Sequence, residues 1–143
     1  MPDVTVVAPG DDWEIVEATR ALVDTPGTCY LGDVRRAAAA LAPTGIAPTI
    51  VSLHTLKPID VGLICSLARE HAALLTVEEH VLTGGLGGAV AEVLADAGAF
   101  PARFRRLGIA NRFVWEVGSR EYRRRVIGID AAAIATAIRA LVS

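Results

Sequence analysis

The feature that most constrains the fold is the alternation of short, β-branched apolar segments with segments whose apolar residues recur at helical spacing. The predicted strands are Val4–Ala8 and residues 29–31, 49–53, 74–78 and 104–109. Predicted helices separate them on short connections, an arrangement typical of βαβ units. We therefore predict an α/β fold with a mostly parallel, mixed sheet and helices on both of its faces.

The helix boundaries are set by residues that commonly begin or end helices. Aspartates precede three of the helical segments, where a carboxylate accepts backbone N–H groups of the first turn. Glycines and prolines follow several segments and favour termination. The predicted helices are 13–22 after Asp11 or Asp12, 34–41 after Asp33, 61–71 after Asp60, 89–97 after a glycine run, and 131–141.

Composition and charge narrow the classes of function. The 143 residues are 52% hydrophobic with a formal net charge of −2, so no basic excess favours nucleic acid or an anionic membrane as partner. Cys29 and Cys65 lie far apart and in no Cys/His cluster, which argues against a metal site or disulfide framework. Without a secretory signal or a membrane-length apolar run, the sequence predicts a soluble, cytoplasmic protein.

Four glycines, Gly84, Gly85, Gly87 and Gly88, precede a predicted helix. Free backbone N–H groups and the positive end of the macrodipole at such a terminus hold anions, so Gly85, Gly87 and Gly88 are candidate anion-binding residues. A dinucleotide fingerprint would require an acidic residue about twenty positions later, where Arg105 stands. The favoured interpretation is close backbone packing at a strand-to-helix turn or a subunit contact.

Glu78, Glu79 and His80 lie at the carboxyl end of a predicted strand, where open α/β sheets bind ligands. A glutamate paired with His80 for acid–base chemistry is one interpretation. However, successive strand side chains point to opposite faces, so the two glutamates do not face a single reacting atom.

Other candidate side chains form no recognisable catalytic group. His54 and His71 have no further ligands at metal spacing, so His54 is predicted to hydrogen-bond within a loop and His71 to interact with a helix C-terminus. No G-x-S-x-G motif occurs, which argues against a self-contained hydrolase. Arginines suit phosphate binding, but the nearby Glu116 and Glu121 favour a solvated face or a salt-bridged subunit contact. The arginines concerned are Arg103, Arg105, Arg106, Arg120, Arg123, Arg124 and Arg125.

Several motifs follow one another in a specific order. They are IVSLHTLKPID at residues 50–60, LTVEEH at 75–80, TGGLGGAVAE at 83–92 and RLGIANRF at 106–113. In this order they resemble the C-terminal section of transketolases, and are similar also to deoxyxylulose-phosphate synthases and the β-subunit of 2-oxoacid dehydrogenases. The resemblance covers residues 33–143, whereas residues 1–32 resemble the tail of the family's preceding pyrimidine-binding domain.

The resemblance implies roles for individual residues. In the family the glutamate–histidine motif fixes the glycine loop by hydrogen bonds, so Glu78, Glu79 and His80 are expected to be structural. The strand that opens the family's domain is missing or shortened here, so either Val4–Ala8 fills its sheet position or the sheet has lost an edge. The sequence also lacks the Gly-Asp-Gly and following Asn that hold magnesium and diphosphate, so no catalytic, cofactor-binding or metal-binding residue is assigned.

The resemblance also implies a function. The chain is predicted to be the C-terminal domain or subunit of a thiamine-diphosphate-dependent transferase that moves two-carbon ketol units. Its partner would be a transketolase-like subunit carrying the diphosphate- and pyrimidine-binding domains. Alone, the chain is predicted to be inactive and to bind neither thiamine diphosphate nor Mg²⁺. The glycine loop and the apolar helix after it favour a homo-oligomer with its contact there. The alternative is a stand-alone α/β regulatory module that binds an anion at residues 84–88.

Overall fold

A computed structural model of the chain describes residues 4–8 and 29–143. The predicted helix at residues 13–22 lies outside this part. Within the described ranges, no helix is long and apolar enough to cross a membrane. The elements are β1 (Val4–Ala8), α1 (Cys29–Leu41), a 3-10 turn (Ala42–Thr44), β2 (Thr49–Ser52), α2 (Val61–Glu70), β3 (Ala73–Val81), α3 (Leu86–Asp96), β4 (Arg103–Ile109), α4 (Arg120–Ile127) and α5 (Ala131–Val142).

The described strands form one four-stranded sheet in the order β2-β1-β3-β4. Every pair of neighbours among them is parallel, so the sheet in this part of the chain is not mixed. Val6 of β1 lies opposite Ile50 of β2 on one side and Leu75 of β3 on the other. Of the two alternatives for the opening strand, β1 therefore fills the sheet position and lies inside the sheet.

Helices cover both faces of the sheet, as predicted. Alternate residues of β3 divide between the two faces: Leu75 and Val77 pack into one core cluster, and Leu74 packs into the other. The first cluster joins the sheet to α1 and α5, and the second joins it to α2 and α3. Buried members from the helices are Val34, Ala37, Leu41, Ile134 and Ile138 in the first, and Ile64, Leu67, Leu86, Val90 and Leu94 in the second.

Local boundaries follow the capping residues at several helices. Asp60 accepts a hydrogen bond from the Leu63 backbone N–H at 2.8 Å, which confirms it as the N-cap of α2. Asp130 accepts one from Ala133 at 3.0 Å and begins α5 in the same way. These carboxylates satisfy N–H groups that have no partner inside the helix.

Three sequence predictions differ from the structure. Residues 29–31 form the first turn of α1 and not a strand, and β1 is the strand that lies beside β2. Consequently Asp33 lies inside α1 and not at its N-cap. The helix α3 begins at Leu86, three residues earlier than predicted.

Candidate functional site

The glycine run and Glu78 come together at the carboxyl end of β3. Glu78 is only 1% exposed, and each of its carboxylate oxygens accepts a backbone hydrogen bond. The N–H of Leu86 donates to Oε2 at 2.8 Å, and the N–H of Gly87 donates to Oε1 at 2.9 Å. We call Glu78, Gly85, Leu86 and Gly87 the Glu78 junction. It places a carboxylate against the positive end of α3 and satisfies two N–H groups of its first turn.

Two glycines of the run are required by packing inside the chain. A Cβ atom on Gly85 would lie 1.9 Å from Oε2 of Glu78 and 2.9 Å from the carbonyl oxygen of Val81. A Cβ atom on Gly87 would lie 2.7 Å from both Oγ1 of Thr76 and Cδ of Arg106. The Glu78 junction therefore leaves no space for a side chain at either position.

The remaining glycines near the junction differ in backbone conformation and in the space available for a Cβ atom. Gly84 has a φ of +77°, a left-handed conformation that glycine adopts without a steric penalty. A Cβ atom on Gly88 would lie 3.7 Å from the carbonyl oxygen of Leu82, which is an ordinary contact. Gly108 of β4 was not singled out from the sequence, yet its Cβ would lie 2.9 Å from the carbonyl oxygen of His80. A glycine inside a predicted strand was the available signal for this close approach.

Glu79 takes part in a different set of contacts from its neighbour Glu78. Its Oε2 atom accepts hydrogen bonds from Nη2 of Arg124 at 2.9 Å and from Nη2 of Arg120 at 3.2 Å. Nη1 of Arg124 donates to Oδ2 of Asp33 at 3.0 Å. We call Asp33, Glu79, Arg120 and Arg124 the Arg124 network. It joins α1, β3 and α4, and the Arg124 side chain is only 5% exposed.

The charge state of Glu79 reflects two opposing effects. Partial burial raises the pKa of its carboxyl group, but hydrogen bonds and charge attraction from Arg124 and Arg120 prevail and leave that pKa below its ordinary value of 4.5. Glu79 is therefore a carboxylate at neutral pH. It acts as the anionic partner of two arginines and is poorly suited to hold and release a proton.

The other histidines and arginines from the sequence analysis are dispersed. Nδ1 of the exposed His80 hydrogen-bonds the carbonyl oxygen of Val81 at 2.9 Å, and His54 contacts Oγ1 of Thr55 at 2.7 Å. Arg106 donates to the carbonyl oxygen of Leu82 at 3.1 Å. Apart from these, Arg103 donates to the carbonyl oxygen of Leu141 at 2.5 Å.

The described residues do not fit a metal–diphosphate site. Within residues 4–8 and 29–143, no three His, Cys, Asp or Glu side chains come together as a metal-binding group. Both oxygens of the buried Glu78 accept backbone N–H groups of α3, so this carboxylate is held inside the Glu78 junction. The junction orders a loop and a helix terminus; it is not arranged for proton transfer.

This geometry defines a class of protein domain: a parallel α/β domain in which a buried carboxylate fixes a glycine loop. A family profile described as transketolase, C-terminal domain, matches residues 29–134. The chain therefore belongs to the transketolase C-terminal domain family, as its motifs predicted.

Named relatives agree with this assignment. The chain is 44% identical over 107 residues to 1-deoxy-D-xylulose-5-phosphate synthase 1 of Geobacter sulfurreducens, a match that covers 75% of this chain and 17% of that protein. It is 48% identical over 101 residues to 1-deoxy-D-xylulose-5-phosphate synthase of Thermomicrobium roseum, covering 71% of this chain and 16% of the relative. The chain thus spans about a sixth of the length of these curated relatives.

A solved structure shares the fold over almost the whole chain. It is described as a split gene transketolase, inactive beta4 tetramer, and is 31% identical in sequence. The superposition has a TM-score of 0.71 and covers 98% of this chain and 39% of that one.

Proposed function

We propose that this chain is the C-terminal domain or subunit of a thiamine-diphosphate-dependent, transketolase-like enzyme and supports its assembly without contacting the reacting atoms. The observation that carries the proposal is the family match over residues 29–134. The assembled enzyme transfers a two-carbon ketol or related acyl unit, and the names of the relatives favour a sugar phosphate as the product. Thiamine diphosphate, held with Mg²⁺ by other domains, supplies the electron sink when it is bound.

The contribution of this chain is structural. The Glu78 junction ties the carboxyl end of β3 to the start of α3, and the Arg124 network ties β3 to α1 and α4. Together they hold the loop between β3 and α3 in one arrangement. We propose that this loop, residues 80–88, and α3 lie at or near a contact between subunits.

A related chain supports self-association, whereas the glycine run does not. The structural relative is named as a β4 tetramer, and its similarity covers 98% of this chain and 39% of that one. Contacts inside the chain already require glycine at positions 85 and 87. The glycine run therefore gives no evidence that the backbone of a second chain packs there. Half-buried Ala89, Ala91 and Val93 on α3 remain available for a contact.

The stand-alone anion-binding module is disfavoured. Its candidate donors include the N–H groups of the α3 terminus, and those of Leu86 and Gly87 already donate to Glu78. A second anion there would face the Glu78 carboxylate, and like charges at close range repel.

Calorimetry with thiamine diphosphate and Mg²⁺ tests the proposal on the purified chain. We expect no binding heat from the chain alone. We expect binding and ketol transfer when the transketolase-like subunit with the diphosphate- and pyrimidine-binding domains is added. Micromolar binding of the cofactor by the chain alone would contradict the proposal.

A further inference from the structure

An exposed apolar strip runs from the segment after β4 into the first turn of α4, apart from the Glu78 junction. Phe113 and Trp115 are each 80% exposed, Val117 is 93% exposed and Tyr122 is 46% exposed. We call Phe113, Val114, Trp115, Val117 and Tyr122 the apolar strip. Neighbouring apolar side chains left in water at this density usually mark an interaction surface.

Local contacts hold the apolar strip in a defined arrangement. The Phe113 and Trp115 rings lie 5.6 Å apart between centroids. An ion pair between Arg112 and Glu116, at 2.8 Å, spans the same segment. The Tyr122 ring covers Gly118 so closely that a Cβ atom there would lie 2.6 Å from it. Contacts of this kind within the strip lower the conformational entropy that a partner must remove on binding.

The charge around the strip determines the chemistry of its partner. Of the five arginines in residues 112–126, Arg112 pairs with Glu116 and both Arg120 and Arg124 pair with Glu79, so two arginines are left to face a partner. Arg123 and Arg125 on α4 are exposed. In a two-fold contact between copies, the strip would meet itself and bring like charges together, which opposes association. An acidic partner avoids this repulsion.

We propose that the apolar strip docks a second, different polypeptide, namely the transketolase-like subunit of the proposed function, through an apolar cleft edged by Asp and Glu. The identity of this partner rests on the proposed function. Aromatic side chains and arginines carry most of the binding energy in protein interfaces, and the strip combines Trp115 and Tyr122 with Arg123 and Arg125. Trp115 is the central anchor, and the two arginines meet the acidic edge.

Calorimetric titration of the full chain against that subunit tests the docking surface. Trp115→Ser should weaken binding by at least about tenfold, and Arg123→Glu with Arg125→Glu should do the same and flatten the dependence on salt. Phe100→Ser is the matched aromatic control, since Phe100 is 56% exposed but lies outside the strip. Arg69→Glu with Arg139→Glu is the matched charge control. Both controls should bind within about twofold of wild type.

The outcomes separate this proposal from the one on which it rests. If wild type and the strip variants bind the subunit equally well, the proposed docking surface is wrong and the proposed function stands. Wild type that does not bind the subunit overturns both. Self-association of wild type that Trp115→Ser abolishes shows a contact between copies and also overturns this proposal. Circular dichroism spectra of all variants should match wild type, because the substituted side chains are exposed.

Discussion

The Glu78 junction and the apolar strip differ in which kind of side chain is buried and which is exposed to water. At the junction a carboxylate that prefers water is buried, and both of its oxygens are paired inside the chain. On the strip, aromatic side chains that prefer burial stand in water, with Phe113 and Trp115 each 80% exposed. Contacts within the chain account for the buried carboxylate of the first region, whereas no such contact accounts for the exposure in the second.

This difference separates stability from association. Substitutions at the junction or in the Arg124 network break contacts within the chain, so their effect appears in the free energy of unfolding. Substitutions on the strip remove no buried contact, so their effect appears only when a partner is present.

The largest expected effect comes from the Arg124 network. Arg124→Met should lower the free energy of unfolding by about 3 to 5 kcal/mol, because Asp33 and Glu79 lose a buried countercharge that joins α1 to β3. Chemical denaturation of the purified chain measures this change. Arg36→Met is the control: Arg36 also pairs with Asp33, but its side chain is 66% exposed, so the loss should stay within about 1 kcal/mol. Equal losses in the two variants would contradict the account.

The junction gives the next largest effect. Gly85→Ala should lower the free energy of unfolding by about 2 to 3 kcal/mol, because the new methyl group displaces the Glu78 carboxylate from its N–H partners. Gly88→Ala is the matched control, since Gly88 lies within α3 and its Cβ would meet only the carbonyl oxygen of Leu82 at an ordinary 3.7 Å. In a helix that replacement should be neutral or stabilising by up to about 1 kcal/mol. A neutral Gly85→Ala would show that the junction is looser than described.

A smaller effect concerns pH. The pKa of Glu79 in the folded chain lies below its ordinary value of 4.5, so its contribution to stability is present above that value and is lost as the pH falls through the folded pKa. Wild type should therefore lose stability on acidification more steeply than Glu79→Gln, which should be about 1 kcal/mol less stable at neutral pH. Thermal unfolding from pH 7 to pH 3 makes the comparison. Parallel curves for both proteins would contradict the assignment.

The smallest effect on stability belongs to the strip. Trp115→Ser should change the free energy of unfolding by no more than about 0.5 kcal/mol, because the side chain is largely in water. A loss as large as that of Gly85→Ala would mean that the strip supports the fold of the chain. The contrast between the two regions would then disappear.

Much of the fold followed from the sequence because its signals are local. The strand residues and the Asp60 cap were predicted from apolar runs and from one capping residue. The helix α4 was not predicted, because five of the eight residues in its sequence, REYRRRVI, are charged, although Ser119 and Gly128 stand at its two ends as capping signals. Residues 29–31 were predicted as a strand on local preference, which the arrangement of the whole sheet overrode.

The site was predictable only in part. The order of the motifs pointed to Glu78 and the glycine loop, and strand alternation indicated that Glu78 and Glu79 have different partners. The partner of Arg124 could not be read from the sequence, because Asp33 lies 91 residues away along the chain. Nearby Glu116 and Glu121 were the expected partners of the arginines, and Glu116 pairs with Arg112 instead.

We propose that this chain contributes structure to an enzyme whose chemistry lies in other domains. The most direct test of this proposal is to titrate the chain into a fixed amount of the transketolase-like subunit, with thiamine diphosphate and Mg²⁺, and to follow ketol transfer between sugar phosphates. The account predicts no activity from the chain alone and an activity that rises with added chain until the two are equimolar. Turnover by the chain alone, or an activity of the subunit that does not change when the chain is added, would contradict the proposal.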